Sequence, residues 1–202
     1  MSKLLQRSIP LVIFIVFAGY VLLRFYQDML FTAHLRTPFI AGSLFFDELM
    51  AEPFGAMRWV GSWLTQLCYY PVLGFVVYML LWSASYFFLQ RTFRLPVLLS
   101  SLLVLPLACL LLSVTDLGYW IYCLKNFGEW YAHSFSFLLM AILLYVLCLI
   151  DKKTKHSAII AAVSCFLAYP LIGWCGILAA VSFFLMHWKT NGWNVLFILL
   201  PV

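Results

Sequence analysis

Residues 134–150 read SFSFLLMAILLYVLCLI, a run with no charged side chain, and Asp151-Lys152-Lys153 follows at once. At 1.5 Å per residue this run makes about 25 Å of helix, close to the thickness of a bilayer's hydrocarbon core. Lipid offers no partner to backbone N–H and C=O groups, so such a run must satisfy them within a helix or a closed barrel. A barrel strand would alternate apolar and polar residues over about ten positions, and this run does not. It reads as a transmembrane helix stopped by charge.

Working outward, the same pattern recurs at residues 8–23, 68–89 and 96–114, the last ending before Thr115-Asp116. A further apolar stretch, 157–186, is too long for one upright span and contains Pro170, Gly173 and Gly176, so a kink or break is predicted near Pro170. From Trp193 the chain is apolar again to Val202, about half the length a span requires. The expected fold is therefore all-α: a polytopic transmembrane helical bundle of five spans plus an incomplete sixth. It is expected to form one domain over residues 1–202, the N-terminal portion of a longer protein.

Composition agrees. The chain has 202 residues, 66% apolar and only 9% charged, where a soluble domain carries about a quarter charged residues. Its 19% aromatic content excludes a disordered chain. The formal charge of +5 comes from Lys and Arg beside apolar runs, not from a basic stripe, so no nucleic-acid partner is expected. Cys68, Cys109, Cys123, Cys148, Cys165 and Cys175 form no CxxC pattern and read as apolar packing thiols. Lys3 and Arg7 precede the first run, and Val16-Phe17-Ala18 could serve a signal peptidase. The run continues without a polar cleavage region, which favours an uncleaved signal anchor.

With the N-terminus cytoplasmic, Lys3, Arg7, Arg91, Arg94, Lys152, Lys153 and Lys155 lie inside with the acid Asp151. Outside lie Arg24, Arg36, Arg58, Lys125 and Lys189, together with Asp28, Asp47, Glu48, Glu52, Asp116 and Glu129. The basic bias supports this orientation by the positive-inside rule. It also gathers the acids on the outer face.

The longest outer connection, residues 24–67, is amphipathic. Leu44, Phe45, Phe46, Leu49, Met50, Met57, Val60, Leu64 and Leu67 recur at mostly helical spacing, opposite Asp47, Glu48, Glu52, Arg58, Ser62 and Gln66. Interfacial helices are predicted here, broken near Pro53 and Gly55, with Trp59 and Trp63 at headgroup level before Tyr69-Tyr70-Pro71 opens the next span. Phe45-Phe46, Tyr69-Tyr70, Tyr119-Trp120 and Trp130-Tyr131 are expected to form interfacial belts.

Asp47 and Glu48, with Glu52 one turn on, are candidate oxygen ligands for a divalent cation, or a candidate base. Equally, acids near a helix start are favoured by the macrodipole and by solvation. Asp28 reads as a helix-end partner of Arg24. His34, Arg36 and Arg58 suit a phosphate or carboxylate; snorkelling to lipid phosphates suits the arginines as well. His133, His156 and His187 stand in no HxxxH spacing, so no metal centre is expected from the histidines. GxSxG, Walker and GxGxxG patterns are missing from the sequence.

The segments Phe46-Asp47-Glu48-Leu49, Glu52-Pro53-Phe54-Gly55, Trp63-Leu64-Thr65-Gln66 and Tyr69-Tyr70-Pro71-Val72-Leu73-Gly74 resemble the opening outer loop of a bacterial multi-pass inner-membrane family of unknown function. That loop typically carries an acid, then Pro-Gly-Gly, then a Gln before an aromatic-aromatic-Pro entry. Phe54 stands here at the first Gly. The layout also resembles GT-C-type glycosyltransferases, which use polyprenyl-phosphate-linked sugars. There a first outer loop carries an acidic catalytic or metal-binding residue, and the resemblance places that role on Asp47, then Glu48, with Arg58 meeting the phosphate. The rival readings are a non-catalytic scaffold and a transporter or flippase component. A transporter would need ionisable groups at mid-membrane, which these runs almost lack.

Overall fold

The computed structural model describes residues 3–93, 95–115, 129–151 and 157–187. Among them the regular elements are all helical. Three helices are long and apolar enough to cross a membrane: Ser8–Phe25, Pro71–Phe93 and Glu129–Asp151. Arg94, Asp116, Tyr119-Trp120, Cys123, Lys125, Lys152, Lys153, Lys155, His156, Lys189 and the apolar run from Trp193 lie outside the described residues.

Helix α1 (Lys3–Tyr20) continues through a π-type segment, Val21–Phe25, and meets α5 (Pro71–Phe93). Phe14 packs on Trp82 with ring centroids 5.7 Å apart, and the next contact along, Gly19 against Phe75, runs the other way in sequence. The two helices are antiparallel. A 3-10 segment, Val97–Leu103, and α6 (Val104–Thr115) bring the chain back, with the Tyr86 hydroxyl donating to the Ser100 carbonyl at 3.4 Å. The sequence run at 96–114 is thus less regular than its composition suggests, since its first part is wound more tightly.

Helix α7 (Glu129–Asp151) lies parallel to α5. Tyr78 stacks on Tyr131 at 4.1 Å, Trp82 Nε1 donates to Ser134 Oγ at 3.0 Å, and Phe88 meets Tyr145 at 5.8 Å, so partner numbers rise together. The Tyr78 hydroxyl donates to the Trp130 carbonyl at 2.7 Å, and the Tyr131 hydroxyl to the Gly74 carbonyl at 2.8 Å. The expectation that Trp130-Tyr131 forms an interfacial belt is corrected: both are buried inside the bundle. The Tyr131 hydroxyl finds a helix carbonyl there, which removes its need for water. Tyr69 and Tyr70 remain exposed.

The apolar stretch after α7 is broken near Pro170, as predicted, with Gly173 as the turning residue. Pro170 lies within α8 (Ser157–Ile172), and Gly173 takes φ +59 before α9 (Trp174–His187). A glycine in this left-handed conformation ends a helix without a Cβ penalty, and its N–H closes on the Tyr169 carbonyl at 2.8 Å. The chain then folds back, because Gly176 lies against the backbone of Tyr169 and Cys165. In a continuous helix Cys165 would be about 16 Å from Gly176. Both helices pack along α7. Over the described residues they run 16 and 14 residues, under the roughly 20 a span needs.

Candidate functional site

The connector 24–67 holds three helices where the sequence pattern predicted interfacial helix with a break. α3 (Ser43–Met50) and α4 (Gly55–Thr65) flank the break at residues 51–54, and α2 (Gln27–Arg36) precedes them. Asp28 opens α2 rather than ending the first span, where the helix dipole favours an acid. The break is sharp because Phe54 is left-handed, φ 71 and ψ 4, a conformation costly for a residue with a Cβ. Glycine would take it freely, which fits the Pro-Gly-Gly pattern that Phe54 interrupts.

Aromatic contacts hold α3 against α4. Trp59 meets Phe39 at 5.4 Å and Phe46 at 5.6 Å, while Phe39 meets Phe45 at 6.2 Å. Phe45-Phe46 therefore joins the connector's own elements, beyond the belt role expected of it. Gln66 ties the ends together, its Nε2 donating to the Thr37 carbonyl at 2.5 Å and the Ser62 carbonyl at 3.2 Å.

The whole unit is seated on the bundle. α4 packs along α7, and Met57 is buried with Ala132 and Ile172. The Phe54 ring stacks on His133 at 5.6 Å, and the Phe54 N–H donates to the Pro170 carbonyl at 2.9 Å. Ser136 Oγ donates to the Ile172 carbonyl at 2.5 Å. Sequence reasoning missed Phe54, His133 and Ser136 as docking residues. Phe54 alone left a signal there, as a bulky residue at a glycine-type turn.

Asp47 and Glu48 are exposed on α3. Arg58, on α4, forms an ion pair with Glu52 inside the break; its side chain is 11% exposed against 62% for Glu52. Arg58 is thus joined to the third acid of the predicted cluster. His34 packs instead with Tyr69 at 5.5 Å and Phe31 at 6.5 Å, and its Nδ1 is buried without a hydrogen-bond partner among the described residues. Arg36 is exposed at the end of α2. Among the described residues no three His, Cys, Asp or Glu side chains come together as a metal site would require. Cys68, at the connector's end, is 1% exposed with its Sγ 3.1 Å from the Tyr131 hydroxyl oxygen. Burial pushes its thiol up to about 11, opposed in part by the Tyr131 hydrogen bond.

Chemically, the connector offers exposed carboxylates and a mostly buried guanidinium whose partner reaches solvent. No curated protein and no solved structure matches the chain. A family model does match, across residues 3–202, and by it the chain belongs to the Family of unknown function (DUF6057).

Proposed function

We propose that this chain is a multi-pass protein of a bacterial inner membrane, with its N-terminus cytoplasmic, whose connector 24–67 works at the outer surface as a GT-C-like transferase. Its substrate class is a polyprenyl-phosphate-linked sugar. The observation that carries this reading is a folded connector, seated on apolar helices, which presents Asp47 and Glu48 to solvent on the same unit as Arg58. A membrane-linked sugar holds its reactive carbon at that level.

In the proposed step an acceptor hydroxyl attacks the anomeric carbon while the Asp47 carboxylate takes the hydroxyl proton. The acceptor C–O bond forms, the bond to the phosphate oxygen breaks, and the electron pair leaves with the phosphate. Arg58, released as Glu52 swings outward, meets that charge by bidentate hydrogen bonds. Glu48 supports the field around Asp47, and His34 and Arg36 line the approach of the anion. A divalent cation, if used, would draw on Asp47 and Glu48 with the substrate's own phosphate oxygens.

The test uses the full protein in proteoliposomes containing a polyprenyl-phosphate sugar and an acceptor alcohol. Parent protein should consume the donor, Asp47→Asn should lose at least 100-fold, the scale of general-base catalysis, and Glu48→Gln should lose less. No consumption by the parent, or full activity in Asp47→Asn, sinks the reading. The second reading is a non-catalytic scaffold, favoured by the Arg58–Glu52 pair, which already occupies the cation. It requires that exchange of Asp47 be without effect.

A further inference from the structure

Taking the membrane reading proposed above as the basis, we infer that α8 and α9 form a re-entrant hairpin, which enters the bilayer from the face where α7 ends, turns at Gly173 within it and leaves by that same face. Its tip is latched by the connector from the opposite side.

The depth of the tip follows from one hydrogen bond. Ser136 is the third residue of the apolar run 134–150, so the Ile172 carbonyl that it binds lies about 3 Å inside that run's outer end. The tip is therefore just within the apolar layer, beneath the connector. A helix that ends there leaves carbonyls with no helical partner, each costly to strand in lipid.

Three donors from three parts of the chain meet that need. The Gly173 N–H takes the Tyr169 carbonyl at 2.8 Å, the Phe54 N–H takes the Pro170 carbonyl at 2.9 Å, and Ser136 Oγ takes the Ile172 carbonyl at 2.5 Å. Two left-handed residues build this contact, Phe54 at φ 71 and Gly173 at φ 59. They also need each other's shape, since a Cβ on Gly173 would stand 3.0 Å from Phe54 Cδ2. The connector cannot lift away without baring the Pro170 carbonyl, so connector and hairpin move as one. The latch joins the outer surface to an element anchored at the inner one.

Topology follows: the start of α8 and the end of α9 share a side. This is tested by labelling intact and permeabilised cells with a membrane-impermeant maleimide, using full-length protein carrying Ser43→Cys, Ser157→Cys or His187→Cys, with the parent as background. Ser157→Cys and His187→Cys should behave alike and opposite to Ser43→Cys. Labelling of His187→Cys together with Ser43→Cys, but not Ser157→Cys, would make 157–187 a single span and overturn the hairpin while leaving the membrane reading intact. Labelling of all three in intact cells removes the membrane reading and the hairpin's topology with it.

Discussion

Two glycines of the connector separate packing from every other effect of gaining a methyl group. A Cβ on Gly55 would lie 1.8 Å from the Leu49 carbonyl oxygen, 2.6 Å from its carbon and 3.2 Å from Met50 Cα. All three atoms are backbone, so no side chain can swing aside. A Cβ on Gly42 would meet only the Ile40 Cγ2 atom at 3.7 Å, an ordinary contact. Both exchanges to Ala restrict the unfolded chain similarly, a gain of about 0.4–1 kcal/mol. Gly42→Ala should therefore be neutral or slightly stabilising. Gly55→Ala must push α3 off α4, pulling at the Glu52 N–H to Leu49 carbonyl bond of 3.3 Å and the Gly55 N–H to Glu52 carbonyl bond of 3.1 Å. Overpacking of this kind costs about 1–3 kcal/mol, more where only backbone can yield. At roughly 2–4 °C per kcal/mol for a chain of this size, the melting temperature in detergent should fall by about 2–12 °C. It can be followed with a dye that reacts with thiols as they become exposed. If Gly55→Ala melts with Gly42→Ala and the parent, the tight α3–α4 turn is wrong.

Ser136→Ala strips the Ile172 carbonyl of its donor and should cost about 1–3 kcal/mol in the same assay, the penalty of a buried unpaired group; an unchanged melt would refute the cap. Gly173→Ala should cost about 1–2 kcal/mol for the left-handed backbone alone in the same assay, and a melt equal to the parent's would refute the left-handed turn. Cys68 is 1% exposed and burial pushes its thiol up, so little reactive thiolate forms at pH 7. Mass mapping should find it unmodified by maleimide in the native protein and modified after unfolding, and prompt native labelling at pH 7 would contradict its burial. Trp82→Phe leaves Ser134 Oγ without its indole donor and should destabilise by about 1 kcal/mol, with circular dichroism showing the helices intact.

The long helices were legible because lipid imposes one solution on an apolar run. The break between α3 and α4 was legible too, since Pro53 and Gly55 interrupt a helical stripe. The hairpin was not: residues 157–186 are apolar whether the chain crosses or turns back, and composition cannot distinguish the two. Pro170 drew attention as the breaker, yet α8 accommodates it near its end and Gly173 makes the turn. The Arg58–Glu52 pair hid because it reaches across the turn rather than along one helix face. α2 escaped notice because its sequence, QDMLFTAHLR, mixes polar and apolar residues over few turns. Asp47 and Glu48 could be named from sequence as exposed acids of α3, whereas their separation from the Arg58 pairing required the turn itself.

The hydrogen bonds between α5 and α7 bear on how the chain is made. These helices are parallel neighbours but are not consecutive, since α6 is synthesised between them. The Tyr78 and Tyr131 hydroxyls and the Trp82 indole donate to groups across that interface, at 2.7, 2.8 and 3.0 Å. When α5 first leaves the ribosome its Tyr78 and Trp82 donors lack their α7 partners, and they stay so until α7 has been made. Aliphatic side chains slide past one another in lipid with little preference for height, whereas these donors accept one axial position only. The ladder thus sets the height of α5 against α7, and a nascent chain stopped before Ser134 would leave the Trp82 indole without that partner.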